Sequence, residues 1–311
     1  MANVTLTING KEVTVPAGVT ILDAARGAGY FIPTFCHDPN NPGYGGCRIC
    51  VVEVKGARAL VASCCAEVAN GMVVETESQA VNEARKTIIE LLLANHPADC
   101  LTCDKNGDCR LQDYAYRYDV RSSGFKGEKH NYPIDDSNPY IIRDLNKCIL
   151  CGRCVRTCEQ VEDRQVINFA YRGFNTKVAP AMDTNLAESA CVSCARCVMV
   201  CPVGALSYSN LAGKGRTYEI RKEPVTCTFC EAGCQFDLNY KGDKVLAVTA
   251  RETGTGRPLC LKGRLGLELL YSDEPVTPML KKDDQFVEVS WPEALGMEDV
   301  LKKLGDLKKL D

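Results

Sequence analysis

The chain has 311 residues and 20 cysteines, and its 37 Lys and Arg nearly balance 40 Asp and Glu, for a net charge of −3. This balance excludes the strong basic excess of a nucleic-acid binder. The lack of an apolar run of about 18 residues excludes a membrane-spanning helix. The opening segment has no basic stretch followed by an apolar one, so no secretory signal is predicted. We therefore expect a cytoplasmic protein whose cysteines are metal ligands or redox groups rather than disulfides.

Residues 1–78 are predicted to form a small mixed domain. Alternating apolar residues indicate half-buried strands, and Asn9-Gly10 is a tight hairpin signal between the first two. A strand, a hairpin, a helix and further strands around a cysteine-bearing loop indicate a ferredoxin-like β-grasp sheet. The predicted elements are strands over 4–8, 13–15, 51–54 and 72–74, and a helix over 21–26 that Thr20 caps and Gly27 ends.

The rest of the chain is predicted to hold three more small domains, so the fold class is multidomain α+β. Ser78 is predicted to cap a helix that runs to about Leu93 and leads to His96. The predicted segments are a small helical domain over 79–120, a polar linker over 121–139, a domain with a duplicated cysteine pattern over 140–211, and a small mixed domain over 212–311.

The last of these domains is predicted from short strands and one terminal helix. Pro292 stands where the first turn of that helix would begin. The helix is expected to end near Leu307 or Leu310, so we expect the chain to finish on a complete element. The strands are expected over 218–221, 236–240 and 245–249.

The cysteines are grouped. Nineteen of them, together with one histidine, make five sets of four, and Cys65 is left over. Four protein ligands are what an iron–sulfur cluster or a structural zinc ion needs. The sets are Cys36, Cys47, Cys50 and Cys64; His96, Cys100, Cys103 and Cys109; Cys148, Cys151, Cys154 and Cys158; Cys191, Cys194, Cys197 and Cys201; and Cys227, Cys230, Cys234 and Cys260.

The third and fourth sets carry the most specific signal. Both have the spacing C-x2-C-x2-C-x3-C of bacterial two-cluster ferredoxins, in which the fourth cysteine of each run binds the other cluster. We therefore assign Cys201 to the 4Fe–4S cluster of Cys148, Cys151 and Cys154, and Cys158 to that of Cys191, Cys194 and Cys197. Two zinc sites are the alternative. Pro202 follows the second run as the pattern requires, whereas Glu159 follows the first and departs from it.

The first set predicts a 2Fe–2S cluster, with zinc as the alternative. Its C-x2-C core lies on a loop where Gly43, Gly45 and Gly46 let the backbone approach closely. Cys65 is an alternative ligand in place of Cys64, but the pattern favours a buried, small apolar role for it. His37 is placed next to Cys36 and is expected to be solvated rather than bonded to the cluster.

The second and last sets are each predicted to bind a 4Fe–4S cluster. The His96 set alone would indicate zinc by its ligand types, but its position among three other cluster patterns favours a cluster with one imidazole ligand. In the last set, Lys262 follows Cys260 closely, where a cation would stabilise a reduced cluster; an ordinary exposed lysine is the alternative. His130 lies in the linker and no role is predicted for it.

The order of these groups resembles a known family. Residues 1–210 resemble the N-terminal part of the large iron–sulfur subunit of respiratory complex I, of iron-only hydrogenases and of NAD-linked formate dehydrogenases. The resemblance rests on the 2Fe–2S spacing, the set of one histidine and three cysteines, and the paired runs through CPVGAL. Residues 217–311 resemble the first domain of molybdopterin oxidoreductases through CTFCEAGC, GRPLCLKGR, VTPMLKK and VSWPEAL. In that family the counterpart of Lys262 lies between the cluster and the pterin cofactor, which marks it as a cofactor-binding residue.

The resemblance implies an electron-transfer subunit. It implies one 2Fe–2S and four 4Fe–4S clusters between a complex I-type flavoprotein, which holds FMN or FAD and oxidises NAD(P)H, and a second redox subunit or a ferredoxin. We expect the chain to be part of an electron-bifurcating transhydrogenase or hydrogenase complex that also contains a small 2Fe–2S subunit. Because the sequence stops at Asp311, before any pterin-binding or hydrogenase domain, we predict no catalytic residue and no activity of the chain by itself. The alternatives are a formate dehydrogenase subunit whose pterin domain is on another chain, and a zinc-stapled scaffold.

Overall fold

A computed structural model describes residues 2–251, 260–271, 277–282, 285–294, 296–299 and 302. The chain divides into two compact units, Met1–Leu267 and Glu268–Asp311. The first unit contains all five cysteine sets, so it is the unit that concerns function. The architecture is mixed, with short strands and short helices alternating along the chain, as predicted.

A five-stranded sheet opens the first unit. The β1–β2 hairpin turns at Asn9 and Gly10, both with positive φ (48° and 79°), as the hairpin signal predicts. The strand order is β2-β1-β5-β3-β4, with β1 and β5 parallel and the other pairs antiparallel. The predicted helix is confirmed as α1, Ile21–Gly27, capped by the Thr20 side chain. The strands are β1 Asn3–Ile8, β2 Lys11–Pro16, β3 Val51–Val54, β4 Val61–Ala62 and β5 Val73–Glu75.

Two helices follow the sheet. The longer one, α2 (Gln79–Asn95), starts at the predicted cap Ser78 and ends with His96 as its C-terminal cap. Arg85 of α2 is wholly buried, and it donates hydrogen bonds to the Val51 carbonyl and the Tyr118 hydroxyl, both at 2.9 Å. Because Val51 belongs to β3 and Tyr118 caps α3 (Arg110–Arg117), this one side chain fixes both helices to the sheet.

The segment 121–139 contains no helix or strand. Its second half is nevertheless packed, since Asp135 is buried and forms an ion pair with Arg143 at 2.9 Å. His130, for which the sequence predicts no role, stacks on Phe174 with ring centroids 4.1 Å apart. The following part consists of two two-stranded sheets and two short helices: β6 Ile141–Arg143 with β9 Leu206–Tyr208, β7 Ile167–Ala170 with β8 Lys177–Pro180, α4 Arg153–Arg156 and α5 Arg196–Val200.

An antiparallel meander, β10-β11-β12, and helix α6 (Leu261–Tyr271) complete this region. The strands are β10 Arg221–Thr226, β11 Gln235–Lys241 and β12 Lys244–Ala250. The strand predicted over 218–221 is wrong, because this segment forms a turn closed by a hydrogen bond from the Glu219 amide to the Arg216 carbonyl at 2.8 Å. The strand begins only at Arg221, and it tolerates Pro224 because β10 is an edge strand.

The second unit is small. Strands β13 (Met279–Lys282) and β14 (Gln285–Glu288) form a hairpin, and α7 (Trp291–Ala294) follows. Pro292 lies in the first turn of α7, as predicted. The expected helix end near Leu307 or Leu310 lies outside the described residues. Among the described residues, no helix is long and apolar enough to cross a membrane.

The first unit is held together by three groups of buried apolar residues. The sheet core lies between the five-stranded sheet and α1 and includes Cys50 and Cys64. The central core joins α2 and α3 to the region of α4 and α5, and Cys36, Cys109, Cys151 and Cys201 are buried in it. The C-terminal core is built on the β10–β12 meander and α6, and it includes Cys227.

Candidate metal centres

The first set converges on the loop between α1 and β3. Cys36, Cys50 and Cys64 are almost fully buried, and the sulfur atoms of Cys50 and Cys64 are 3.4 Å apart. Hydrogen bonds from the Cys47 and Cys64 thiols lower the pKa of Cys36, and the same contacts raise the pKa of Cys47 and Cys64, so the four thiols are close enough to share protons. The four thiols predicted as ligands therefore lie together, on two cores: Cys50 and Cys64 in the sheet core, Cys36 and Cys47 against the central core.

The predicted close approach of the backbone at the glycines of this loop is seen, but the predictions for Cys65 and His37 are wrong. A Cβ atom on Gly43 would clash with the Cys64 carbonyl oxygen, and one on Gly45, which has φ of +67°, would lie 3.0 Å from the Cys65 sulfur. The expectation that Cys65 is buried is wrong, because it is exposed beside Cys64, with the two sulfurs 3.6 Å apart. His37 is half-buried rather than solvated, and burial lowers its pKa.

Two arginines of α4 tie this loop to the next pair of sets. Arg153 forms an ion pair with Asp38 at 2.8 Å, with both side chains at most 4% exposed. Arg156 donates hydrogen bonds to the carbonyls of Pro42, at 2.8 Å, and Cys36, at 2.5 Å. Since Cys154 lies between the two arginines on α4, the first and third cysteine sets are held at a fixed separation. No pattern in the sequence indicates these contacts, because their partners are more than 110 residues apart.

All eight cysteines of the third and fourth sets line one internal cavity. Burial raises the pKa of Cys148 to about 11 and those of Cys151 and Cys194 to about 12, and it also raises the pKa of Cys154, Cys191 and Cys197. The neighbouring Cys201 thiol adds to the rise for Cys148, Cys151 and Cys154, and the Cys158 thiol adds to it for Cys191, Cys194 and Cys197. Each fourth cysteine therefore lies near the other run, and Cys201 also lies near Cys197 of its own run, so the crossing of the ligands stays a prediction.

The two runs also share an unusual backbone. Leu150 and Ser193 occupy equivalent positions and have positive φ, 51° and 56°, and so do Gly152 and Ala195, at 73° and 59°. Residues other than glycine rarely adopt the left-handed backbone conformation, and those that do cluster at functional sites. They turn successive backbone N–H groups into a concave, anion-accepting surface. Such a surface fits a negatively charged iron–sulfur cluster, whose iron atoms would hold the surrounding cysteines as thiolates.

The cysteines of the second set differ in how deeply they are buried. Cys109 is buried at the N-cap of α3, and burial raises the pKa of its thiol, although the nearby Gln112 and Leu111 amides act in the opposite direction. Cys103 is half-buried, whereas Cys100 is exposed. His96 has a buried Nδ1 atom without a hydrogen-bond partner. An unbonded imidazole nitrogen and a thiol at a helix N-terminus fit the predicted metal ligation.

The last set lies on the meander and α6. The Cys227 amide donates to the Cys234 carbonyl at 2.7 Å, which closes the loop between them, and Gly263 of α6 lies against the Cys227 sulfur. Cys230 and Cys260 are exposed. The side chain of Lys262 lies outside the described residues, so its predicted role stays a prediction.

The choice between clusters and single zinc ions stays a prediction. Within the described ranges, no three Cys, His, Asp or Glu side chains converge on one position for a metal ion. The assignment of individual ligands stays a prediction from the spacing and the burial.

The sites and the fold define an iron–sulfur protein. Residues 1–79 match the family described as 2Fe-2S iron-sulfur cluster binding domain, and residues 85–123 match the NADH-ubiquinone oxidoreductase-G iron-sulfur binding region. Residues 147–205 match the 4Fe-4S dicluster domain, and residues 220–272 match the molybdopterin oxidoreductase Fe4S4 domain. The predicted resemblance is confirmed for all four parts.

The chain belongs to the family of iron–sulfur subunits found in NADH-quinone oxidoreductases and in NAD(P)-linked hydrogenases. It is 37% identical over 93% of its length to a subunit of the NADH-quinone oxidoreductase of Rhizobium meliloti. It is 46% identical over 66% of its length to NADP-reducing hydrogenase subunit HndD of Solidesulfovibrio fructosivorans. It spans only 34% and 36% of these two relatives.

A solved structure supports the same family. A chain of the NAD+-reducing [NiFe]-hydrogenase in its H2-reduced state is 33% identical, with a TM-score of 0.64. The match covers 69% of this chain and 91% of that one. The relatives therefore support an electron-transfer role for the iron–sulfur domains.

Proposed function

We propose that this chain carries five iron–sulfur clusters, one 2Fe–2S and four 4Fe–4S, and passes single electrons between a flavin-bearing NAD(P)H-oxidising subunit and a second redox partner. The observation that supports this most directly is the position of the thiols at the junctions between cores. The first set spans two cores, with Cys50 and Cys64 in the sheet core and Cys36 and Cys47 against the central core. Cys194 packs against the C-terminal core that contains Cys227. Bound there, the clusters would supply one-electron carriers in series.

The chain's own residues would hold this series rigid. The Arg153 and Arg156 contacts fix the first site against the third, and the Arg110 amide donates to the Pro202 carbonyl at 2.9 Å, which fixes the second set against the pair. In the central pair, Cys151 and Cys201 are buried and the other six cysteines are partly buried. Each predicted set supplies four protein ligands, which leaves no open iron position for a substrate.

The surroundings of the chain are proposed from its relatives. Their names refer to NADH, NADP and NAD+, which supports a complex I-type flavoprotein with FMN as partner, together with a small 2Fe–2S subunit. A ferredoxin-linked bifurcating complex is the arrangement we favour, with a cytoplasmic location. The match of residues 220–272 to the molybdopterin oxidoreductase Fe4S4 domain favours one alternative, a formate dehydrogenase whose pterin domain is on another chain.

Metal analysis and turnover test the proposal. The anaerobically purified full chain is expected to contain about 18 iron atoms and no zinc. It is expected to show no turnover of NADH, NADPH, formate or hydrogen with artificial acceptors. Stoichiometric zinc, or turnover by the chain alone, would contradict the proposal. A copurifying pterin protein would favour the formate alternative over the flavoprotein complex.

A further inference from the structure

Lys147 forms an ion-pair triad with two carboxylates. Its ammonium nitrogen is 3.0 Å from the Asp99 carboxylate and 3.0 Å from the Asp144 carboxylate. The Lys147 side chain is 14% exposed and that of Asp144 is 10% exposed, so the charge is largely shielded from solvent. A charge in such a position acts on its neighbours far more strongly than a surface charge does.

The triad lies between two of the predicted cluster sites. Asp99 directly precedes Cys100 of the His96 set, and Lys147 directly precedes Cys148 of the third set. Gly204 shows how close the contact is. A Cβ atom there would lie 2.7 Å from the Cys103 sulfur and 3.5 Å from the Cδ of Lys147, so the lysine chain runs beside a predicted ligand.

The two carboxylates at 3.0 Å favour the charged form of the lysine. The triad as a whole carries one positive and two negative charges. Each of the three side chains therefore raises or lowers the local electrostatic potential according to the sign of its charge.

We propose that Lys147 raises the reduction potential of the His96–Cys109 cluster, by holding a positive charge beside Cys103. The inference rests on the proposed function, since it needs a cluster in that set. One-electron reduction adds one negative charge to the cluster, and no bond is made or broken. A nearby cation stabilises the reduced form, and a nearby carboxylate opposes it.

The test is a dithionite titration of the full chain, followed by electron paramagnetic resonance. The signal of this cluster is identified as the one lost in Cys103→Ala. Lys147→Met is expected to lower the reduced-to-oxidised ratio at a given potential at least tenfold, which is about 59 mV for one electron. Lys147→Arg is expected to restore it. Lys86→Met, which removes an exposed lysine from α2, is the matched control and is expected to leave the ratio unchanged.

Asp99→Asn distinguishes the effect of a charge from the effect of losing a structural contact. It also removes a contact of the triad, but it deletes a negative charge and is expected to raise the potential. Opposite shifts in Lys147→Met and Asp99→Asn support the proposal, whereas shifts in the same direction, or none, overturn it. If Cys103→Ala and the unaltered chain give the same signals, the cluster of this set is absent, and it is the proposed function that fails at this set.

Discussion

The ion pair between Arg153 and Asp38 gives the sharpest prediction about stability. It joins the loop of the first site to α4 at 2.8 Å, and the two side chains are 4% and 1% exposed. Arg153→Met leaves the Asp38 carboxylate buried with only the Asn40 amide, at 2.9 Å, as a described hydrogen-bond donor. Removing one member of a buried pair typically costs about 3–5 kcal/mol.

The expected effect is local opening of the first site. Since 1.36 kcal/mol is a factor of ten, the population of the open loop should rise between about 160-fold and about 5,000-fold. An iron chelator should then remove the 2Fe–2S absorption faster by a similar factor, provided that reclosing is faster than capture. Arg121→Met is the control, because its ion pair with Asp119 is exposed on both sides and is worth little. Equal chelation rates in Arg153→Met and the unaltered chain would refute the reasoning.

The pH dependence of this variant follows from the sign of the shift. Burial acts to raise the pKa of Asp38, but the hydrogen bond from Arg153 outweighs it, so the pKa is lowered in the folded chain. The pair therefore stabilises the fold above the unfolded pKa of about 4, and this stabilisation is lost as the pH falls through the folded pKa. In Arg153→Met the arginine no longer opposes burial, so the pKa of Asp38 should lie higher than in the unaltered chain, although the Asn40 hydrogen bonds remain. The ratio of the two chelation rates should therefore shrink as the pH is lowered toward this raised pKa, because protonation removes the unpaired buried charge in the variant.

Two further predictions concern the other sites. Cys201→Ala should alter the signal of the cluster held by Cys148, Cys151 and Cys154, and Cys158→Ala should alter the other; loss of the 191–197 cluster alone in Cys201→Ala would contradict the crossing. Gly204→Ala should lower the iron content by about four atoms per chain, because its Cβ would stand 2.7 Å from the Cys103 sulfur. Gly127→Ala, where a Cβ meets nothing within 4 Å, should keep the full iron content, and an equal loss in both would show that the contact is irrelevant.

Local signals in the sequence predict much of the fold. The Asn9-Gly10 hairpin and the Thr20 and Ser78 caps depend on residues close together in the chain, and the structure has them where the sequence predicts them. The cysteine spacing likewise predicts that the third and fourth sets meet. The hairpin and the caps can be predicted because each is decided within about ten residues, whereas the meeting of the two sets is predicted from their repeated spacing.

Long-range contacts cannot be predicted in the same way. The partners of Arg85, Arg153 and Arg156 are carbonyls, hydroxyls and carboxylates distant in sequence, and none of them forms a periodic pattern. The predicted start of β10 is wrong because the side-chain alternation in residues 218–221 indicates a strand, whereas tertiary contacts make a turn there. The exposure of Cys65 depends on the glycine loop that passes it, which composition does not reveal.

The central core has a consequence for any attempt to cut the chain into parts. Cys36, Cys109 and Cys201 are buried together in it, although they belong to three stretches that match three separate families. Excising residues 140–211 alone would leave half of an apolar interface facing water, with Arg153 and Arg156 deprived of their acceptors. A chimera that exchanges only one of these stretches with a relative would have to rebuild that interface from both sides. The smallest portable piece therefore runs from the first sheet through β9, and shorter fragments should aggregate rather than assemble clusters.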